Sequence, residues 1–374
     1  MNLYHEFVGR RIRMLVERDD AIKLVPFANL DLSDSFFDSL RTAYNGAEFD
    51  RWFQKKALSN ENTWVVLNHD EKIQAMLYLK KEDGKDDDVT PPLTGKRLKI
   101  GTFKVDFSHH TSVGKRLLAI ALRAFAKSSC EYAYVTMFEA DNTESLRKML
   151  SQYGFTCIAK KNSTVGSEDV WIKRRPSADE IGSYSSFPFV MPRTGQDYVL
   201  SIWPKYHVRM FGDVSLRSEK DIPVPDTTSI NTIEKIYLSK SPMVSNMRLG
   251  DRVVIYRTSD GQSSARYRSV VSSVCTVMEV KNLSCFYDKN EFLSYVKGRS
   301  VFSQDELENF WTSQRFPWVM SLLFNFPLNR YPTRGELLDR GLIPEGRLAC
   351  TPISGKIFRK IIELGGVDEG YIVD

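Results

Sequence analysis

FKVDFSHHTSVGKRLLAIALRAFAK, residues 103–127, decides the architecture of the first half of this chain. LKIGTFKVDF, 98–107, reads as a strand. The polar run from Ser108 to Ser112 predicts a short turn, and Leu117, Leu118, Ala121, Leu122 and Phe125 recur at helical spacing, giving the next element one apolar face. Gly114, Lys115 and Arg116 then fall in the first turn of that helix. Amide N–H groups at a helix start lack intrahelical acceptors, and the helix dipole is positive there. Two added cations complete an anion site that suits a pyrophosphate.

Working outward, strand and helix signals alternate. DLSDSFFDSLRTAY, 31–44, opens on Asp and Ser before an apolar-periodic run, as a helix N-terminus does, and EFDRWFQKKALS, 48–59, continues as a second helix. TWVVLNHDEKIQAMLYLKKED, 63–83, reads as two strands around the polar turn Asn68–Asp70. Downstream come a strand (YAYVTMF, 132–138), a helix (ESLRKMLSQYGF, 144–155) and two closing strands, TCIAKK and DVWIKRR. The order is that of an α/β domain with crossovers around a central mixed sheet.

PSADEIGSYSSFPFVMPRTGQ, starting at Pro176, is rich in Pro, Ser and Gly and reads as a linker or extended crossing segment. The expected domains are therefore 1–175 and 196–374, joined by 176–195. Beyond the boundary the chain reads mostly as strands (DYVLSIWP, IEKIYLSK, DRVVIYRT, YRSVVSSVCTVMEV), which predicts a barrel. Its peripheral helices are FSQDELENFWTSQR, capped by Ser303; TRGELLDRG, capped by Thr333 and ending at Gly341; and TPISGKIFRKIIELGG, with Gly365 past its end.

Composition narrows the setting. With 374 residues, 42% of them hydrophobic, the chain can build two cores. No apolar run approaches the ~20 residues of a membrane helix, and MNLYHEFVGRRIRMLVERDD lacks the pattern of an export signal. Five scattered cysteines form no CxxC pair, and neither they nor the five histidines show metal-ligand spacing, so no metal is expected. A cytoplasmic setting follows. The net charge of +5 permits a nucleic-acid partner without demanding one.

The first half resembles the GNAT acetyltransferase family, whose motif between the fourth strand and its helix reads [RQ]xxGx[GA]. The matching segment is His109-His110-Thr111-Ser112-Val113-Gly114, which keeps the last glycine and replaces the Arg or Gln and the first glycine. YVTMFEADN, ending at Asn142, and LRKMLSQYGF, with its Gly154-Phe155 pair, continue the resemblance from about residue 20 to 175. It implies an acetyl-coenzyme A-dependent N-acyltransferase. Phe103 to Val105 would offer backbone groups to the pantetheine arm; His109, Thr111, Ser112, Val113, Gly114, Lys115 and Arg116 would hold the phosphates; Asn142 would lie near the thiol. Many members carry an acid tyrosine four residues before that Gly, where this chain has Leu150. Tyr153, Tyr134 or a water could take its place, with Glu82, Asp106 or Glu139 as general base. No cysteine nucleophile is needed.

The second half resembles the PUA-like superfamily, including ASCH and EVE domains, in DYVLSIWPKYHVRMFGDV, IEKIYLSK, MRLGDRVVIYRT and SVVSSVCTVMEV. That resemblance implies binding of RNA or a modified base, with Lys205, Tyr206, His207, Arg209, Arg257, Arg266 and Arg268 as contacts and Trp203, Trp311 and Trp318 in the core. Together the halves imply acyl transfer to an RNA-linked substrate (tRNA or aminoacyl-tRNA) or a protein amine. Two alternatives stand beside it. One is an inactive coenzyme A- or nucleic-acid-binding regulator, the antitoxin-like partner of a nuclease. The other is ASCH-type processing of a modified base by Lys205 and Glu279. The oligomeric state is left open.

Overall fold

The computed structural model describes residues 22–106, 112–140, 143–163, 166–177, 180, 183–191, 195–211 and 233–373. Two compact units divide the chain. The first comprises Met1–Ala121, Tyr134–Glu139 and Ile158–Trp171; the second comprises Leu122–Ala133, Ala140–Cys157 and Ile172–Asp374.

In the first unit, β1 (Ile22–Pro26) leads to Asp34, whose buried carboxylate accepts from the amides of Phe36, at 2.9 Å, and Ile73, at 3.1 Å. Asp34 thereby caps a 3-10 turn that runs into α1 (Asp38–Tyr44) and ties it to Ile73. Asn45 turns the chain at φ 58°, and α2 (Gly46–Leu58) follows. Phe27, Phe36, Phe37, Phe49 and Phe53 bury themselves against Met76 and Tyr78 of β3 (Ile73–Glu82) and Val65 of β2 (Asn62–Leu67). Each fully buried side chain of this kind contributes roughly 1.5–3 kcal/mol, which is what holds the two short helices on the sheet. The β2–β3 turn forms as read from the sequence: Asn68 Oδ1 accepts from the amides of Asp70 and Lys72.

After β4 (Val89–Thr90) and β5 (Arg97–Val105) come α3 (Ser112–Ala126), β6 (Tyr132–Phe138), α4 (Glu144–Gln152), β7 (Thr156–Ser163) and β8 (Gly166–Arg174). The eight strands form one sheet in the order β1-β2-β3-β5-β6-β8-β7-β4. The β3–β5 ladder slips between Tyr78, opposite Thr102, and Leu79, opposite Ile100, so Gly101 is the extra residue of a bulge. A Cβ there would stand 2.9 Å from the Tyr78 ring, so the bulge takes glycine.

In the second unit, β9 (Asp197–Ile202), α5 (Pro204–Met210), β10 (Glu234–Ser239), β11 (Arg252–Arg257), α6 (Ala265–Arg268), β12 (Val270–Asn282), α7 (Lys289–Val296) and α8 (Gln304–Ser313) precede β13 (Trp318–Pro327), α9 (Arg334–Asp339), β14 (Cys350–Ile353) and α10 (Gly355–Leu364). Ser303 and Thr333 cap their helices with reciprocal Glu306 and Glu336 bonds. The strands make a six-stranded sheet, β10-β13-β12-β11-β9-β14, with β9 and β11 parallel. The expected barrel is corrected: among the described residues this sheet is open, and its edges do not pair. One edge strand has four residues, and the free side of β10 is occupied by the Ile236 amide bonding to Arg299 O and the bridge to Ser300. WVMSLLFNFP, which shows no alternation, is the internal strand β13, buried almost throughout between β10 and β12.

The parallel pair is pinned by a buried ion pair. Arg252 Nε donates to Asp197 Oδ1 at 2.6 Å and Nη2 to Oδ2 at 2.9 Å; the two residues sit opposite each other in the register. The Pro-, Ser- and Gly-rich stretch is packed where it is described: Phe187, Phe189 and Val190 are buried, and Val190 bonds to Tyr371 O. Two arginines secure the end of α3 within this unit. Arg123 donates to the carbonyls of Phe324 and Asn325, both at 2.7 Å. Arg175 donates to Ala126, Ser128 and Gly370 carbonyls, capping the helix with a cation where its dipole is negative.

Candidate active site

Met76 and Tyr78 face the α1–α2 helices, and Lys104, opposite Met76, reaches the Phe36 carbonyl and Ser39 Oγ from the same side. Phe103 and Val105, one residue to either side of Lys104, therefore point away from α1 and α2 and are half-buried. Asp106 follows them and donates its amide to Gln74 O at 2.8 Å. Ser112, Val113, Gly114, Lys115 and Arg116 open α3, with Val113 buried and the others half-buried. His109, Thr111 and Asn142 lie outside the described residues.

The acid and base candidates Tyr134 and Glu82 are brought together. Tyr134 Oη donates to Glu82 Oε2 at 2.6 Å. Burial, followed by that bond, pushes the Tyr134 hydroxyl well above its ordinary range. Burial works to raise the Glu82 carboxyl too, but the Tyr134 bond and the ammonium groups of Lys99 and Lys80 outweigh it and hold the group below the usual carboxylate range. Arg97 stands 3.5 Å away. Tyr134 is fully buried, so its hydroxyl serves Glu82.

Tyr153 ends α4 and is also fully buried, its ring edge-on to Tyr184 and Phe187. Its hydroxyl has no hydrogen-bond partner among the described residues, and burial pushes it up. Gly154 follows at φ 82°; a Cβ there would stand 2.7 Å from Ser185 O. Lys173 fills the same corner, donating to Tyr153 O and Ser185 O. Burial brings its ammonium down to about 7. Leu150 is buried, and Glu139 is exposed just after β6.

The sequence reading passed over Tyr44 and Glu168. Tyr44, the last residue of α1, donates its hydroxyl to Glu168 Oε1 at 2.7 Å, and its ring lies 5.4 Å from that of Phe138, the last residue of β6. Glu168 is only 5% exposed. A signal for it existed: Glu168 shares a strand face with Val170 and Ile172, both buried.

In the second unit Lys205, Tyr206 and Arg209 all meet Glu306, at 2.7, 3.0 and 3.5 Å. Arg257 is fully buried and donates to Arg268 O, while Arg268 pairs with Asp260 and Arg266 with Asp339. His207 is buried against Ser272 Oγ. Glu279 takes Tyr295 and Lys281, so it and Lys205 are engaged with different partners. Trp203 corrects the core expectation: it is 61% exposed, because it follows the end of β9 and precedes α5 instead of alternating inward. Trp311 stacks on Phe292, and Trp318 packs against the core. Among the described residues no group of three or more His, Cys, Asp or Glu could hold a metal, and no helix is long and apolar enough to cross a membrane.

No protein-family model and no curated protein matches this sequence. Among solved structures, a putative GNAT-family acetyltransferase from Desulfovibrio desulfuricans is 10% identical over 41% of this chain and 99% of its own, at a TM-score of 0.31. Arabidopsis thaliana NAA60 with a bisubstrate analogue is 13% identical over 41% and 97%, at 0.29. Human THYN1 in complex with 5-methylcytosine-containing DNA is 11% identical over 46% and 99%, at 0.27.

Proposed function

We propose that the chain from β1 to β8 is a GNAT-type acyltransferase domain that uses acetyl-coenzyme A to acylate an amine. The observation that carries this reading is the run from β5, the fourth full-length strand, bulged at Gly101, into α3 with Gly114, Lys115 and Arg116 in its first turn. Bulges disrupt a ladder and occur beside active sites, and the donor set at the helix start is amide and cationic, which fits a pyrophosphate. When bound, acetyl-coenzyme A supplies an activated thioester. Residues 112–116 would hold its phosphates. The turn at Gly154, followed by buried Phe155, supports the same assignment for α4.

Calorimetric titration with acetyl-coenzyme A, run beside Gly114→Glu, tests the reading. Glutamate places a carboxylate where the pyrophosphate sits, so binding should fall at least about a hundredfold, some 2.7 kcal/mol, in a protein that still melts cooperatively. Equal binding by both proteins, or none by wild type, ends it.

For the second unit we propose a nucleic-acid-binding role. What favours it is exposed Trp203, and Tyr267, 69% exposed between Arg266 and Arg268, since bases stack on open aromatic rings beside cations. Fluorescence anisotropy with a single-stranded RNA, repeated at raised salt and with Trp203→Ala, tests it: no binding at low salt rejects the role. The acceptor would then be RNA-linked.

A further inference from the structure

Three tyrosine–glutamate pairs are built into the first unit, and they differ in a way that bears on chemistry. Tyr78 is 2% exposed and donates to Glu61, which is bridged by Lys56 at 2.8 Å. Tyr134 is fully buried and donates to Glu82, which faces Lys80 and Arg97. In both, the tyrosine is buried and the carboxylate already faces a cation. Tyr44 is only partly buried, and Glu168, nearly inaccessible, makes no ion pair among the described residues. Of the three, this pair alone joins a partly exposed tyrosine to a carboxylate without a salt bridge among the described residues, and burial followed by the Glu168 charge pushes the Tyr44 hydroxyl well above its ordinary range.

Its place is defined by its neighbours. The Tyr44 ring leans on Phe138, which closes β6, the strand beside bulged β5 in the sheet order. Gly166, at φ 139°, makes room: a Cβ there would stand 3.3 Å from the Phe138 ring. The pair thus sits at the end of β6 on the face covered by α1 and α2, and none of the roles already assigned uses it. The charged group that faces Glu168 from the neighbouring elements is Lys99 of β5, which in turn faces Lys161 of β7, Glu82 of β3 and Asp86.

We propose that Tyr44 and Glu168 form a proton relay that deprotonates the acceptor amine; this rests on the acyltransferase reading. The Tyr44 oxygen takes one proton from the bound ammonium as its own hydroxyl proton passes to Glu168. The freed nitrogen lone pair forms the C–N bond to the thioester carbonyl. The C–S bond breaks, the sulfur takes the second nitrogen proton, and Glu168 returns its proton to solvent. Tyr44 touches the substrate; Glu168 acts through it and also positions it.

The test uses n-butylamine as probe acceptor, following thiol release from acetyl-coenzyme A for wild type, Glu168→Gln, Tyr44→Phe and the double variant. Calorimetry with acetyl-coenzyme A and thermal melts run in parallel. In Glu168→Gln the new side-chain amide oxygen can still accept from Tyr44, so folding is kept. Each variant should lose about a hundredfold or more in kcat/KM near neutral pH and regain part of it as the pH approaches the ionisation of n-butylamine itself, with acetyl-coenzyme A affinity unchanged. The double variant should lose no more than either single one, as members of one relay do. Variants that keep the wild-type rate near neutral pH, whatever happens to their melting temperature, overturn the relay, as does a wild type that binds acetyl-coenzyme A yet releases no thiol. A wild type that fails to bind it removes the acyltransferase reading itself, and the relay with it.

Discussion

Glu168 in one sheet and Asp197 in the other are both nearly inaccessible carboxylates, and they are partnered differently. In the eight-stranded sheet two carboxylates meet tyrosines, Glu82 with Tyr134 and Glu168 with Tyr44, while buried Asp169 takes Lys160. In the six-stranded sheet carboxylates meet guanidinium groups or close turns. Asp197 takes Arg252 in two parallel bonds, and Asp251 accepts the amides of Gln196 and Arg248. A tyrosine hydroxyl leaves a carboxylate its charge and its capacity to take a proton; a bidentate arginine matches both. The first arrangement suits a surface where protons move, and the second suits a frame that must hold register.

Breaking the frame should cost most. Asp197→Ala strands a buried guanidinium, and removing one partner of such a pair costs about 3–5 kcal/mol. Urea unfolding should show that loss, with much of it recovered when Arg252→Met is added. A small loss would mean that water reaches Arg252 and that the two sheets differ less than they look.

A smaller effect tests the corner where α4 meets Lys173. The folded Lys173 ammonium is brought down to about 7 from an ordinary 10.5, because burial disfavours the charge and outweighs the opposing pull of Glu180. Between those values the unfolded chain keeps a proton that the folded one has lost. Stability should therefore rise with pH, by about 2 kcal/mol from pH 7 to pH 9, and be flat from this group at lower pH. Lys173→Met should lack the rise in paired unfolding curves. Parallel curves for the two proteins would show that the amine stays charged.

Tyr134→Phe should cost about 1 kcal/mol, because Glu82 keeps Lys80 and Arg97 when the hydroxyl goes. Tyr153→Phe should change least, from no loss to a gain of about 1 kcal/mol, since it removes a buried hydroxyl that has no partner among the described residues. The same variant should turn over at the wild-type rate. A drop in rate with unchanged stability would return Tyr153 to the acid's role and weaken the contrast between the sheets.

Much of the first unit was legible because its signals are local. The Asn68 turn, the apolar stripe of α3 and, in the second unit, the caps at Ser303 and Thr333 each follow from a few neighbouring side chains. The open second sheet was not legible, because closure depends on what meets an edge: the residue that occupies β10, Ser300, lies more than sixty positions downstream of it. β13 was passed over because a strand buried on both faces has no alternation to display. Phe103 and Gly114 could be placed by motif, whereas Tyr44 and Glu168, 124 residues apart, become a pair only through the sheet.

Arg175 carries a consequence for how such a chain can be recombined. Its guanidinium binds the Ser128 carbonyl just beyond α3 and the Gly370 carbonyl near the last described residue, and a Cβ at Gly370 would lie 2.0 Å from Ala126 O. The end of α3 is therefore finished by Arg175 and by the close approach of Gly370, from far later in the chain. Removal of the last residues would leave the Arg175 guanidinium one acceptor short while its bonds to Ala126 and Ser128 remain. A replacement for that tail must bring a glycine to the position of Gly370.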